Sequence, residues 1–359
     1  MFKILDRYII KKMLTTFFFV VLVLVSIICV IDYTEKNSDF MKHHLTFGFI
    51  FKEYFIHFIP YMANMLSPIT VFIATVFVTA QLAGHTEIIA MLNSGMSFRR
   101  LMLPYLLASS ILGVGIFILG AWVIPQANKQ RLEFENKYYK DQFYYDARNV
   151  HIKIAPKSYI YLESYNNTAH IGYQCTIETI DSNKVYDKLK SDRIVWIDSL
   201  KKWRLENYTF RSFANNKEIL KKGVALDTSI DLSAKDFESQ YMMHEQMTID
   251  ELDKHINKLK LRGAENIESF LIEKYERFTY PFAIIILTMI GVIVSARKSR
   301  GGTALQISLG FILAFVYIIF VIMSRSITSG GGLHPLLGAW VPNIVFTFIG
   351  GILYKTVPR

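Results

Sequence analysis

The sequence is poor in cysteine and, for its length, poor in charge. Its 359 residues include 2 cysteines, Cys29 and Cys175, so at most one bridge can form and a disulfide-built scaffold is excluded. Cys29 lies in an apolar run and Cys175 in a polar region, so even that bridge is not expected. Charged residues make up 19% of the chain, whereas soluble domains carry about a quarter. No G-x-x-x-x-G-K-[ST] loop is present to cradle phosphates, no Gly-rich dinucleotide turn follows a strand, and there is neither an H-E-x-x-H nor a paired-cysteine zinc spacing. His244-Glu245 lacks a second histidine, and Ser94-Gly95 and Ser97 have no strand-turn-helix setting for a nucleophile. His43-His44 is an interfacial pair without further ligands and reads as solvated. Catalysis by this chain alone is not expected, and no cofactor or metal is demanded.

What the chain has is apolar length. Hydrophobic residues reach 52% and the mean hydropathy is +0.27, which rules out a disordered chain and argues against a soluble enzyme. Met13–Ile31 holds 19 residues without a charge, matching the roughly 20 that cross a bilayer core. It ends in Ile-Cys-Val-Ile-Asp rather than in the small residues of a signal cleavage site, so it reads as a retained helix. Further spans are expected at about Tyr54–Ala83, Leu101–Ile124, Phe278–Ala296, Thr303–Ser324 and Leu333–Tyr354. The second carries His57, Pro60, Asn64 and Pro68 and is longer than a straight crossing needs. Charge inside the spans is sparse, which counts against an independently driven proton-coupled carrier.

Basic residues fix the expected orientation. Lys3, Arg7, Lys11, Lys12, Arg99, Arg100, Arg297, Lys298, Arg300, Lys355 and Arg359 fall on one side, against Lys36, Lys42, Lys52 and Arg325 on the other. The positive-inside rule puts both termini in the cytoplasm. The stretch from about Pro125 to Arg277 is then outside. It contains alternating runs such as His151-Ile-Lys-Ile, Tyr159-Ile-Tyr-Leu, Thr176-Ile-Glu-Thr-Ile and Lys202-Trp-Arg-Leu-Glu-Asn-Tyr-Thr-Phe, separated by Asn-Asn, Asp-Ser-Asn and Ala-Asn-Asn segments. Such alternation predicts hairpins of an all-β domain. Between Lys129 and Asp253 the 19 basic and 20 acidic residues nearly cancel, so the positive excess lies around the membrane and no nucleic-acid partner is expected. Thr248 with Glu251 three residues on predicts a capped helix running to Arg262, and a second helix from Glu265 feeds the fourth span.

The loop after the second span reads Gly84-His-Thr-Glu-Ile-Ile-Ala-Met-Leu-Asn-Ser-Gly-Met-Ser-Phe-Arg-Arg. It predicts a short helix over about 85–95, capped by Thr86, with Glu87 in its first turn and Gly95 as its stop. Ile88, Met91 and Leu92 share one face. Such a helix is either an interfacial element or a docking knob for a partner.

Four segments in order carry a family resemblance: Leu5-Asp-Arg-Tyr-Ile, Glu87-Ile-Ile-Ala-Met-Leu-Asn-Ser-Gly-Met-Ser, Trp122-Val-Ile-Pro-Gln and Leu333-His-Pro-Leu-Leu-Gly-Ala-Trp-Val-Pro. Over essentially its whole length the chain resembles the lipopolysaccharide export permeases LptF/LptG, and its start and Trp-Val-Ile-Pro-Gln look more like the LptG type. The resemblance implies an α-helical membrane protein of six transmembrane helices with an inserted all-β periplasmic domain, β-jellyroll-like. It divides the chain into helices 1–3 over 1–124, the β domain and following helix over 125–265, and helices 4–6 over 266–359. It implies a non-catalytic permease subunit in the bacterial inner membrane, working with a paired LptF-like permease, an LptB-like ATPase dimer that holds ATP and Mg, and LptC-like and LptA-like periplasmic proteins. Lipopolysaccharide would pass from the inner membrane to a periplasmic bridge.

The resemblance further implies that Glu87 meets the ATPase, with Ile88, Met91 and Leu92 filling its groove. The first and fifth helices would line the lipid cavity, with Cys29, Tyr33, Phe311 and Tyr317 as candidate lining residues. The chain departs from the LptG type at about Cys29, where that subunit has a lysine. Lys36, Lys42 and Arg325 are then the candidate phosphate contacts, or else ordinary interfacial cations. Two other readings compete. A membrane-anchored assembly or signalling platform would bind a partner through its β domain and transport nothing. Macrolide- or lipoprotein-type exporters place their large outer domain after the first helix, not the third.

Overall fold

The computed structural model describes residues 4–139, 148–181, 184–214, 217–237, 242–262, 267–296 and 302–355. Lys3, Arg297, Lys298, Arg300 and Arg359, used above for orientation, lie outside the described residues, as do the central residues of the Asp-Ser-Asn and Ala-Asn-Asn turns. The chain forms two compact units. One comprises Met1–Lys140, His244–Leu252 and Glu268–Arg359, the other Asp141–Met243 and Asp253–Ile267.

The first unit is helical. Its elements are α1 (Ile4–Lys42), α2 (Phe47–Ile50), a π-helical turn (Phe51–Phe55), α3 (Ile56–Met65), α4 (Ser67–Gly84), α5 (Glu87–Asn93), α6 (Phe98–Ile118), a second π turn (Leu119–Val123) and α7 (Ile124–Tyr138). After the β strands come α8 (Ile249–Arg262), whose residues from Asp253 on belong to the second unit, then α9 (Ile267–Ser295), α10 (Gly302–Ser329) and α11 (Pro335–Lys355). Among the described residues, six helical stretches are long and apolar enough to cross a membrane: Ile4–Lys42, Ser67–Gly84, Phe98–Tyr138, Ile267–Ser295, Ala304–Ser329 and Pro335–Lys355. The expected six-span architecture is present.

The second span is shorter than its apolar run. It begins at Ser67, because Pro68 has no N–H to give the carbonyl of Asn64, and a turn at Leu66 separates α3 from α4. The hydroxyl of Ser67 donates to that carbonyl at 2.7 Å instead. Pro342 creates the same vacancy at Gly338 in α11, and Ser324 of α10 fills it from the neighbouring helix at 2.6 Å. In an apolar medium each orphaned carbonyl must find a donor, and two serines supply them. Asn343 completes the joint, accepting from Tyr317 at 3.1 Å and donating to Thr279 O at 3.1 Å, so that α9, α10 and α11 are stitched together.

Three apolar cores hold the helices. One joins α1, α4, α5, α6 and α9 through Ile9, Met13, Leu82, Ile88 and Tyr105. Another joins α4, α9, α10 and α11 through Phe72, Leu287, Tyr317 and Phe346. Gly310 lets α10 lie directly on α4, since a methyl there would sit 2.8 Å from Val76 Cγ1. A third, rich in aromatics, joins α1 to the stretch from Ile50 to Phe58 and to Phe134 of α7.

The second unit is built on β1 (Arg148–Ala155), β2 (Ser158–Asn166), β3 (Ile171–Asp181), β4 (Lys184–Ile197), β5 (Lys202–Ala214) and β6 (Lys217–Thr228). Each strand pairs antiparallel with the next, giving one sheet in chain order. One face carries Ile160, Leu162, Cys175, Ile194, Trp203 and Leu205 in alternating positions. Gly172 stands where a Cβ would lie 2.7 Å from Ile194 Cγ2. The segment Leu232–Phe237 covers this face: Trp203 Nε1 donates to Leu232 O at 2.7 Å, and Phe237 stacks on Tyr165 with centroids 3.9 Å apart. Both cysteines are free.

Candidate functional site

At the end of the helical unit that carries the chain termini, α5 hangs from α4 by two residues, His85 and Thr86. So short a link forces Thr86 into the left-handed region at φ 60°, and its hydroxyl donates back to His85 O at 2.6 Å. The expected Thr86 cap is therefore absent, because a capping side chain needs an extended backbone at that position. The stop is as expected: Gly95 sits at φ +86° and its amide reaches Leu92 O at 3.0 Å. Glu87 is half-buried in the first turn. Ile88 is fully buried in the first apolar core, with Met91 and Leu92 partly buried against it. The apolar edge of α5 thus anchors it to the spans, and its outward apolar side chain is Ile89, 38% exposed. An ion pair at 2.6 Å between buried Asp6 and half-buried Arg100 ties the start of α1 to the start of α6 beside it.

The opposite end, where α7 leaves and α9 enters, is a network of charges. Lys36 is 7% exposed. Its ammonium lies 2.8 Å from Asp32 and 3.8 Å from Glu135, bonds the hydroxyl of Tyr54, and sits over the rings of Tyr54 and Tyr139. Glu135 also receives Arg131 at 3.2 Å, and Arg131 stacks on Tyr61. A second group continues from the first through Glu245, whose carbonyl accepts from Asn128 at 3.4 Å and whose carboxylate is bonded by Tyr61. There Arg277 pairs with Glu273 at 2.9 Å and donates to the carbonyls of Met247 and His244. Arg325 pairs with Glu276 at 3.1 Å and approaches Glu273 at 3.8 Å and His244 at 3.5 Å. Burial, reinforced by the charge of Glu273, raises the Glu245 carboxyl above its ordinary range against the pull of Tyr61, Arg325 and Arg131. Burial likewise lowers His244, and the two arginines act in the same direction.

The remaining predicted residues fall as follows. Lys42 is exposed and pairs with Asp39 at 2.6 Å. Cys29 and Tyr33 are half-buried on α1 beside the aromatic core, with Tyr33 packed on Phe40, Phe47 and Phe55. Phe311 is 51% exposed on α10, whereas Tyr317 is buried in the α4–α9–α10–α11 core. His43 packs its ring against Tyr138. Among the described residues no group of three or more His, Cys, Asp or Glu side chains could hold a metal ion. Lys36 and Arg325 share one end of the bundle but belong to different ion-pair groups.

Sequence reasoning missed Asp32, Arg131, Glu135, Glu273, Glu276 and Arg277. A signal was present: Asp32/Lys36, Arg131/Glu135 and Glu273/Arg277 are each opposite charges four apart, the spacing of helix neighbours. Glu273, Glu276 and Arg277 lie ahead of the apolar run of the fourth span, on the helix expected to feed it; Glu265, its expected start, is outside the described residues, and α9 carries all three from Ile267 on.

The spans differ sharply in how much of them the rest of the chain covers. Only 11% of the apolar stretch of α1 and 22% of that of α10 is buried, against 72% for α4. Comparison with known proteins agrees with this architecture. The family described as lipopolysaccharide export system permease LptF/LptG matches residues 7–356. Two curated relatives, each named lipopolysaccharide export system permease protein LptG, come from Escherichia coli strain K12 and from Escherichia coli O6:H1. Each is 19% identical over 355 residues, with 97% of both chains covered. The chain belongs to the LptF/LptG family of lipopolysaccharide export system permeases.

Proposed function

We propose that this chain is the LptG-type permease subunit of an ATP-driven exporter that lifts lipopolysaccharide out of the bacterial inner membrane and passes it to a periplasmic bridge. The observation that carries the reading is the match from residue 7 to 356 on a chain whose α1 and α10 are the least covered spans. Phe18, Phe19, Leu22, Ile27 and Val30 of α1, and Phe311, Ile312 and Phe315 of α10, are exposed. Such faces suit a cavity wall shared with a paired LptF-like permease, where acyl chains are sheltered without a specific lock.

Both termini are cytoplasmic in this reading and the β unit is periplasmic. An LptB-like ATPase dimer, holding ATP and Mg, docks on α5. Glu87 and the outward Ile89 form the contact, Met91 and Leu92 flank it, and buried Ile88 transmits the push to the spans. LptC-like and LptA-like proteins receive the lipid beyond the β unit.

Lys42, with its ammonium exposed, is the accessible phosphate contact at the outer rim. Lys36 and Arg325 are already neutralised by carboxylates. A phosphate takes either cation only by displacing Asp32 or Glu276, so these pairs act as latches that a bound lipid opens. Tyr33 and Cys29 border the cavity, and Tyr317 supports it from inside the core.

The test is affinity isolation of the tagged chain with its co-expressed partners. Wild type brings down an ATPase in stoichiometric amount, and Glu87→Ala loses most of it while remaining folded in the membrane. No ATPase with the wild type, or full retention and export with Glu87→Ala, overturns the reading.

A further inference from the structure

The terminus end of the bundle contains a cavity that the export reading does not use. It measures about 410 Å³ between α6, α9 and α11, with Met102, Leu106, Ile290, Ile293 and Phe346 in its wall and Gly351 on its exposed side. Lining residues Met289 and Gly351 are exposed, so the cavity opens on the outside of the spans, where a bilayer lies. At Gly351 an added Cβ would meet nothing within 4 Å, so the opening is bare backbone there. The mouth is polar and cationic. Arg99 Nε donates to the Tyr354 hydroxyl at 3.2 Å, and Arg99 is exposed with no carboxylate partner among the described residues. The next residue is the contrast: Arg100 is neutralised by Asp6 at 2.6 Å.

We propose that this crevice binds an anionic glycerophospholipid of the terminus-side leaflet. One acyl chain fills the apolar cavity and the phosphate lies on Arg99, with Tyr354 beside the ester region. The chemistry is matched in order along the site: apolar wall at membrane depth, an amphipathic tyrosine at the interface, then an uncompensated guanidinium. Basic mouths between spans recognise anionic headgroups in this way. A protein helix would need a continuous apolar strip rather than a single pocket with a cation at one end. The proposal requires only that the helices span a bilayer, so it stands or falls separately from lipopolysaccharide export.

The experiment uses the full chain, with whatever subunits co-purify, in nanodiscs doped with phosphatidylglycerol or phosphatidylcholine bearing a diazirine in one acyl chain. After irradiation, adducts are mapped by peptide mass spectrometry. Wild type is labelled on the 286–293 and 346–354 segments, about fivefold more by phosphatidylglycerol than by phosphatidylcholine. Arg99→Gln brings the two lipids to parity. Gly351→Leu puts a side chain across the opening and removes labelling of these segments by both; Thr347→Phe, which also lines the cavity, does the same should Gly351→Leu fail to fold. Equal labelling by the two lipids in wild type, or labelling unchanged in folded cavity-filling variants, overturns the proposal and marks the lipid as unspecific bilayer contact.

Discussion

The hydroxyl of Ser324 donates to the carbonyl of Gly338 across 2.6 Å, and it does so because Pro342 leaves that carbonyl without its helical amide. The bond joins α10 to α11. A second α10–α11 bond runs from Tyr317 to Asn343, and at Gly310 α10 lies directly on α4.

Ser324→Ala is expected to destabilise the folded chain by about 1 kcal/mol, the scale of an interhelical hydrogen bond in a membrane protein. Pro342→Ala restores a backbone donor to Gly338, so the serine substitution should cost less than half as much in that background. Unfolding of the four variants in detergent measures the coupling; strictly additive costs would show that Ser324 does not serve the proline gap.

Lys36 offers a sharper case, because two carboxylates and a tyrosine hydroxyl surround one buried ammonium. Removing one partner of such a group leaves charge uncompensated and costs about 3 kcal/mol or more. Lys36→Met should therefore lower thermal stability markedly, and Lys36→Met with Asp32→Asn should recover part of it. Lys42→Met, at an exposed pair, should change stability by less than about 0.5 kcal/mol. A stable Lys36→Met protein would contradict the internal pairing.

In the β unit, burial opposes ionisation of Asp236, but the Ser233 amide and the Arg262 guanidinium outweigh it and hold the carboxyl below its ordinary range. The folded value lies below the unfolded one of about 3.9, so the stabilisation is fully present above that pH and is lost as pH falls through the folded value. Asp236→Asn should cost about 1–3 kcal/mol at pH 7 and nothing once both values are passed. Hydrogen exchange of the Trp203 strand across pH 2.5–7 reads this out; a constant difference between wild type and variant would refute it.

The two neighbours on α5 should separate by function. Ile88→Ala empties a fully buried site and should cost about 2–4 kcal/mol of stability. Ile89→Ala should leave stability within about 0.5 kcal/mol but weaken recovery of the ATPase. Interchanged effects would place the docking face on the other side of the helix.

The six spans were legible because uninterrupted apolar runs have no soluble alternative, and Thr248/Glu251 was legible because a capping box is local: both of its hydrogen bonds form. Thr86 has the same residue type before an acid but fails to cap, since the distance to the end of α4 dictates its backbone and no sequence window contains that constraint. The second span starts later than its apolar run because Pro60 and Pro68 look alike in sequence, yet α3 runs through Pro60 whereas α4 starts at Ser67 with Pro68 in its first turn. The charge network was hidden for a different reason. Its members sit at the ends of α1, α7, α9 and α10, and only their convergence in space reveals that Lys36 and Arg325 are already paired. Arg99 stands out for the same reason: among the described residues it bonds the Tyr354 hydroxyl and no carboxylate.

The central claim is tested most directly by photocrosslinking in intact cells with the probe at Phe311, exposed on α10, and with Phe346, buried in the core, as the control position. The account predicts lipopolysaccharide adducts at Phe311 that depend on ATP turnover by the partner ATPase, and none at Phe346. A folded, membrane-inserted protein that gives no adduct at Phe311 would contradict it.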